Sequence, residues 1–257
     1  MDTEYERYKR HLTLTEVGEE GQKLLSNASV LIVGCGGLGV LGAQYLAGAG
    51  VGRLFLCDGD AIELSNLHRQ ITYTQKEVGL SKAIVATERA QELNPQIKAI
   101  AVDRYLTHEN GIELLEDVDL VLDCTDNFEA RYLINDMALL HAIPVVCGSL
   151  HKFEAQLTVY NYEQGPTYRC LFPNENSRGF GCPEVGVLGP LAGMLGSYMA
   201  LEAMKIILKK GEKLSGRVGV FNGLTHTWHY FSYSKDEGAV RKRIEYLENA
   251  RKRQHYG

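Results

Sequence analysis

The hexapeptide Gly34-Cys35-Gly36-Gly37-Leu38-Gly39 follows a β-branched run, Ser29–Val33, and opens a stretch of helical character at about 38–49. Small residues in that setting let the backbone close on a phosphate at the positive end of a helix. The glycine pattern alone is a weak signal. It gains strength from the strand before it, the helix after it and Asp58. That acid lies at the end of the second β run, where a dinucleotide fingerprint places its ribose-binding carboxylate. Ribose hydroxyls are common to NAD and ATP, so the pattern specifies adenosine and leaves the reaction open.

The rim beyond Asp58 carries more charge than a dinucleotide needs. Asp60, Asn66, Arg69 and Gln70, followed by Lys82, bring two cations and several amides to one edge, which suits a triphosphate. These five residues are candidate nucleotide contacts beside Gly34, Gly36, Gly37, Gly39 and Asp58. Each cation has a bland alternative, Arg69 as the partner of a surface carboxylate and Lys82 as an ordinary first-turn lysine. A cation near a helix N-terminus nevertheless opposes the dipole unless an anion sits there. Asp126 falls just past a fourth apolar run, at the end where open α/β sheets bind ligands. A hard carboxylate there suits Mg2+ bridging phosphate oxygens. Its alternative is an N-cap for the helix starting near Glu129, a task open to the neighbouring Asn127.

The elements that must position these residues are short apolar runs at Ser29–Val33, Arg53–Cys57, Lys98–Val102, Asp119–Asp123 and Ile143–Cys147. They alternate with helical stretches at about 38–49, 80–93, 107–116 and 129–141, and Pro95 and Pro144 mark two of the helix-to-strand transitions. This alternation predicts a doubly wound, Rossmann-like α/β fold with a mostly parallel sheet. Ala155–Tyr160, Arg217–Asn222 and Thr227–Ser232 read as antiparallel C-terminal strands extending it, around a long apolar helix at about 187–209. The polar segment Leu171–Gly186 reads as a mobile crossover loop where function is expected. In the charged tail from Lys235, Val240, Ile244 and Leu247 recur at i, i+4, i+7, a pattern for a docked amphipathic helix or, equally, a solvated one.

The 257 residues are 45% hydrophobic, enough for one substantial core, and the net charge of −5 supplies no positive field for nucleic acid or an anionic membrane. The N-terminus alternates charges without the apolar run of a signal peptide, so the expected location is the cytoplasm. Val185–Leu201 approaches membrane-spanning length, but its glycines, Pro190 and the continuation into Glu202 and Lys205 favour a buried helix. Six cysteines with no CxxC pair argue against a zinc knuckle or dithiol redox motif. Cys35, Cys57, Cys124 and Cys147, at the ends of apolar runs, read as small hydrophobes. Cys182, in the polar loop, fits an accessible thiol.

Five ordered motifs, Arg7-Tyr8-Lys9-Arg10, the Gly34–Gly39 loop, Asp58 through Gln70, Asp123-Cys-Thr-Asp126-Asn127 and Cys182-Pro-Glu-Val-Gly-Val-Leu-Gly-Pro-Leu, together resemble the ThiF/MoeB/HesA adenylyltransferases of the ubiquitin-activating-enzyme superfamily. The similarity runs from about Tyr5 to Phe231. It implies a single adenylation domain over 1–257: N-terminal helices 1–27, a nucleotide-binding half 28–150, a carrier-binding half 151–234 with crossover loop 171–186, and a helical tail 235–257. The implied reaction is adenylylation of the C-terminal glycine of a small ubiquitin-like sulfur-carrier protein ending in Gly-Gly, preparing it for thiocarboxylate formation in thiamine, molybdopterin or related biosynthesis. The resemblance implies ATP and Mg2+, a homodimer and a separate sulfur-donor protein. It gives Asp58 the ribose, Arg69 and Lys82 the phosphates and Asp126 the metal. Arg10 becomes an arginine finger in the partner's site, and Cys182 a loop cysteine engaged in sulfur transfer. Many relatives carry two CxxC pairs for structural zinc. Here Thr167-Tyr-Arg-Cys170 and Phe231-Ser-Tyr-Ser-Lys lack them, which argues against zinc and leaves the tail helix as the expected clamp.

Two other functions compete with this one. An NAD(P)-dependent oxidoreductase would use the glycine loop and Asp58 but explains neither the Arg69/Lys82 rim nor Asp126. A non-catalytic scaffold for a ubiquitin-like fold would have no need of Arg10, Arg69, Lys82 and Asp126 together.

Overall fold

In the computed structural model, which describes residues 6–174 and 186–255, α1 (Lys9–Leu12) and α2 (Gly18–Asn27) precede the first strand. There follow β1 (Ser29–Val33), α3 (Gly39–Ala49), β2 (Arg53–Cys57), α4 (Lys82–Leu93), β3 (Lys98–Val102), α5 (His108–Glu116), β4 (Leu120–Asp123), α6 (Phe128–Leu140) and β5 (Val145–His151). The remainder is β6 (Glu154–Tyr160), the short α7 (Tyr168–Leu171), α8 (Gly189–Leu208), β7 (Arg217–Asn222), β8 (Thr227–Ser232) and α9 (Glu237–His255). One sheet holds all these strands in the order β3-β2-β1-β4-β5-β6-β7-β8. The first five are mutually parallel, and β6, β7 and β8 add on antiparallel.

Strand periodicity divides the core. Val30 and Ile32 of β1 face one layer with Leu46 of α3, Ala86 of α4 and Leu195 and Met199 of α8. Leu31 and Val33 face the other with Leu115 of α5 and Ile134 and Met137 of α6. Both faces being covered, β1 is buried at every position, which is why its sequence is apolar without a break from Val30 to Val33 rather than alternating. The long apolar α8 would pass for a membrane span by length and composition. It instead packs into the first layer, with its buried Glu202 ion-paired to Lys205 and accepting the Leu214 N–H at 2.8 Å.

The sheet order reverses at β1. The chain leaves β1 toward β2 and β3 on one side and returns to β4 and β5 on the other, opening a crevice between the C-terminal ends of β1 and β4.

Two features depart from expectation, at β5 and at the crossover loop, and the tail helix settles between two readings. β5 runs on to His151 because β6 pairs with it from Val145↔Tyr160 to His151↔Glu154. The hairpin between them turns through Lys152 at φ 54°, a left-handed conformation its side-chain type does not announce. The expected crossover loop begins with the last residue of α7. The tail helix is docked rather than solvated, burying Val240 and Leu247 with Ile244 half-buried. Residues 175–185 of that loop, including Cys182, lie outside the described residues.

Candidate active site

Beyond Val33 the chain turns at Gly34, φ 93°, where a Cβ would come 2.9 Å from the Cys124 carbonyl oxygen. At Gly39 a Cβ would lie 1.8 Å from the carbonyl oxygen of Gly34, so these two positions close the turn and seat α3 against the strand. Gly36 differs: its nearest neighbour would be Gln70 Nε2 at 3.6 Å, leaving room for a ligand. No side chain caps α3: the Val40 N–H donates to the Gly36 carbonyl at 3.1 Å, while those of Gly39 and Leu41 keep their capacity for an anion.

Asp58 anchors this loop. Its Oδ2 accepts the Cys35 N–H at 2.7 Å and its Oδ1 accepts the Asp60 N–H at 2.8 Å. Burial pushes its pKa up, and those two N–H groups and Lys82 offset only part of the rise. A carboxylate has about four lone-pair sites, so the two bonds leave capacity for ribose hydroxyls. Tyr73 adds a second anchor that sequence reasoning missed. Its buried hydroxyl lies 2.8 Å from the Cys35 carbonyl and 3.1 Å from that of Lys82, tying the glycine loop to α4.

The dipole conflict at Lys82 is resolved within the chain. Lys82 is 7% exposed and its Nζ donates to Asp60 Oδ2 at 2.8 Å, while the Tyr105 hydroxyl donates to Asp60 Oδ1. Burial pushes the Asp60 carboxyl up, but these two donors outweigh it and hold its pKa below the usual carboxylate range. The first-turn position of Lys82 therefore needs no phosphate to explain it. Asn66 is buried in a reciprocal cap with Glu63. Gln70 is 2% exposed, and its Oε1 has no partner among the described residues. Arg69 donates to the Ser65 carbonyl at 3.3 Å and lies 2.8 Å from His68 Nε2. No carboxylate pairs with it among the described residues. Arg10 is exposed on α1, and none of its hydrogen bonds or ion pairs reaches this group.

Across the crevice, Asn127 caps α6, its side chain accepting the Ala130 N–H at 2.8 Å. That leaves Asp126 exposed, without a hydrogen bond or ion pair among the described residues. Asn127→Ala should lower stability by about 1 kcal/mol, read as a shift of the urea midpoint at constant m-value. Cys35, Cys57 and Cys147 are buried, and burial pushes each thiol pKa up, so none is primed as a nucleophile.

A family model described as "ThiF family" matches residues 8–240. A "Sulfur carrier protein adenylyltransferase" of Thermus thermophilus is 42% identical, with 95% of each chain covered. An "Adenylyltransferase and sulfurtransferase MOCS3" of Culex quinquefasciatus is 47% identical over 86% of this chain, which spans 51% of that longer protein. Among solved structures, E. coli MccB with AMPCPP and MccA superposes with a TM-score of 0.80 at 21% identity, covering 91% of this chain and 73% of that one. At that identity the likeness speaks for the fold.

Proposed function

The chain belongs to the ThiF family, and from that membership we propose that it is an ATP-dependent adenylyltransferase acting on the C-terminal glycyl carboxylate of a small ubiquitin-like sulfur-carrier protein. The carboxylate oxygen attacks the α-phosphorus of ATP, the bond from that phosphorus to the β-bridging oxygen breaks, and acyl-adenylate and pyrophosphate result. A carboxylate is ionised at neutral pH, so no proton has to be removed and no general base is required.

One observation carries this reading: an uncapped helix N-terminus and an uncommitted carboxylate stand at the two strand ends that bound a single crevice. The helix end suits phosphates, and a hard oxygen donor suits a cation held beside them. A nicotinamide site would use the first and has no need of the second. Asp126 would hold Mg2+, which when bound neutralises charge on phosphate oxygens.

The chain's own residues do the rest by positioning and charge. The loop N–H groups around Gly36 and Gly37 meet phosphate, Asp58 takes the ribose, and Asn66, Arg69, Gln70, Lys82 and Asn127 supply donors around the triphosphate. Asp60 acts through Lys82, whose ammonium it holds. Arg10 would serve the site of a second copy of the chain in a homodimer, and residues 151–234 would receive the carrier. The protein would work in the cytoplasm with a separate sulfur donor. No zinc is assigned: the Cys170 thiol lies 3.4 Å from the Thr167 nitrogen and 3.5 Å from the Asp236 nitrogen, and one cysteine cannot complete a four-ligand site.

The test is Mg2+-dependent ATP–pyrophosphate exchange with a candidate carrier ending in Gly-Gly. Carrier-dependent exchange is the expected result. Tight ATP binding with no exchange for any such carrier would leave a different acyl substrate or a scaffold. For Cys182→Ala the expected outcome is normal adenylylation with impaired sulfur transfer, followed by exchange and by thiocarboxylate yield. Loss of exchange as well would assign that loop to the nucleotide site.

A further inference from the structure

β4 ends on a buried charge. Asp123, 2% exposed, accepts the Thr125 N–H at 3.1 Å and the Thr125 hydroxyl at 2.7 Å, both on Oδ1, while the Cys147 thiol lies 3.6 Å from Oδ2. From the other side, Arg131 reaches back along α6 and donates from Nη2 to the Thr125 carbonyl at 2.8 Å. The Arg131 Nε is buried without a partner among the described residues. The preceding residue is held too, the Cys124 N–H donating to the Val33 carbonyl at 2.9 Å.

Every hydrogen-bonding group of Thr125 is thus held by an ionisable side chain. Neither charge is needed to start α6, because Asn127 already caps it. Taking a carboxylate and a guanidinium out of water is costly, and a turn alone does not require it. What these bonds fix is the next peptide plane. The Thr125 carbonyl is coplanar with the Asp126 nitrogen and Cα, so anchoring that oxygen fixes the position from which the Asp126 side chain departs and leaves only rotation about its own bonds.

We propose that Asp123 and Arg131 are positioning residues that clamp Thr125 from both sides and thereby aim the Asp126 carboxylate into the β1/β4 crevice. The inference rests on the metal-holding role given to Asp126 above. It predicts that loosening the clamp weakens divalent-cation binding more than nucleotide binding.

The experiment compares the full-length protein with Arg131→Met, Arg131→Lys and Thr125→Val. Mn2+ binding is titrated by electron paramagnetic resonance in the presence of AMPPCP, and half-saturating Mg2+ and ATP are measured in the exchange assay. A misplacement of the order of an ångström can cost about a hundredfold, so Arg131→Met should weaken Mn2+ binding about tenfold or more. Half-saturating Mg2+ should rise in parallel, while half-saturating ATP at excess Mg2+ moves less than about twofold. Arg131→Lys, which keeps a cationic donor, should recover most of the loss. Thr125→Val, which removes only the hydroxyl bond, should shift Mn2+ binding the same way by about threefold, and decides the matter if Arg131→Met does not fold. Unchanged Mn2+ affinity in a folded variant overturns the clamp, as does a wild-type protein that binds no Mn2+ with AMPPCP. A wild type that binds Mn2+ and AMPPCP but exchanges no pyrophosphate overturns the proposed function, while the titration still decides the positioning.

Discussion

Asp126→Asn is expected to reduce carrier-dependent ATP–pyrophosphate exchange by at least about a hundredfold, the scale on which removing a single preorganised electrostatic contact acts. The substitution keeps the side chain's shape and removes its charge. Because Asp126 is exposed and makes no hydrogen bond or ion pair among the described residues, the fold has nothing to lose. A surface change of this kind should leave stability within about 0.5 kcal/mol of wild type. Loss of exchange with an unchanged melting curve and unchanged carrier binding would locate the defect in the chemistry. Retention of exchange within about threefold would mean that another group neutralises the phosphates, and the metal-holding role of Asp126 would have to be given up.

Neighbouring residues in the same crevice show how far such roles can be read from sequence. Gly34, Gly39 and Asp58 were legible because each answers a local demand: a positive φ, a close approach to a carbonyl, an acceptor at a strand end. The strand boundaries were legible for a similar reason. β1 and β2 coincide with their apolar runs because both faces of the parallel sheet are covered there. The anion that the helix end at Lys82 demands comes from Asp60, 22 residues earlier in the chain, a pairing that no local spacing specifies. Tyr73, Tyr105 and Arg131 were not singled out at all. Their partners are backbone carbonyls or side chains fixed by tertiary contact, and no spacing in the sequence announces a carbonyl in need of a donor. The same limit explains the Lys152 hairpin, where register between β5 and β6 imposes a conformation that the residue type does not favour.

The tail shows the limit most clearly, because periodicity left its helix equally docked or solvated and a buried ion cluster decides between them. Asp136 of α6 is 1% exposed and accepts two hydrogen bonds from Arg169 of α7, each at 2.7 Å, and one from Arg243 of α9. The single carboxylate therefore joins three helices, with Val240 and Leu247 packing α9 down beside it. Asp136→Ala should cost about 3–5 kcal/mol, since it removes the carboxylate from between two guanidinium groups held near each other out of water.

The pH dependence of that loss provides a signature. Burial pushes the Asp136 carboxyl up, but the Arg169 and Arg243 guanidinium groups outweigh it and hold the pKa below its ordinary value. A carboxylate with a depressed folded-state pKa contributes stability above its unfolded pKa, near about 3.9, and loses it as pH falls through the folded value. Urea midpoints of wild type and Asp136→Asn should therefore differ most at neutral pH and converge below about pH 4. Other acids titrate in the same range, among them Asp60 and Glu77, but they are common to both proteins and cancel in the difference. A constant gap between the two proteins across that range would mean that packing around α9, and not the charge on Asp136, holds the tail in place.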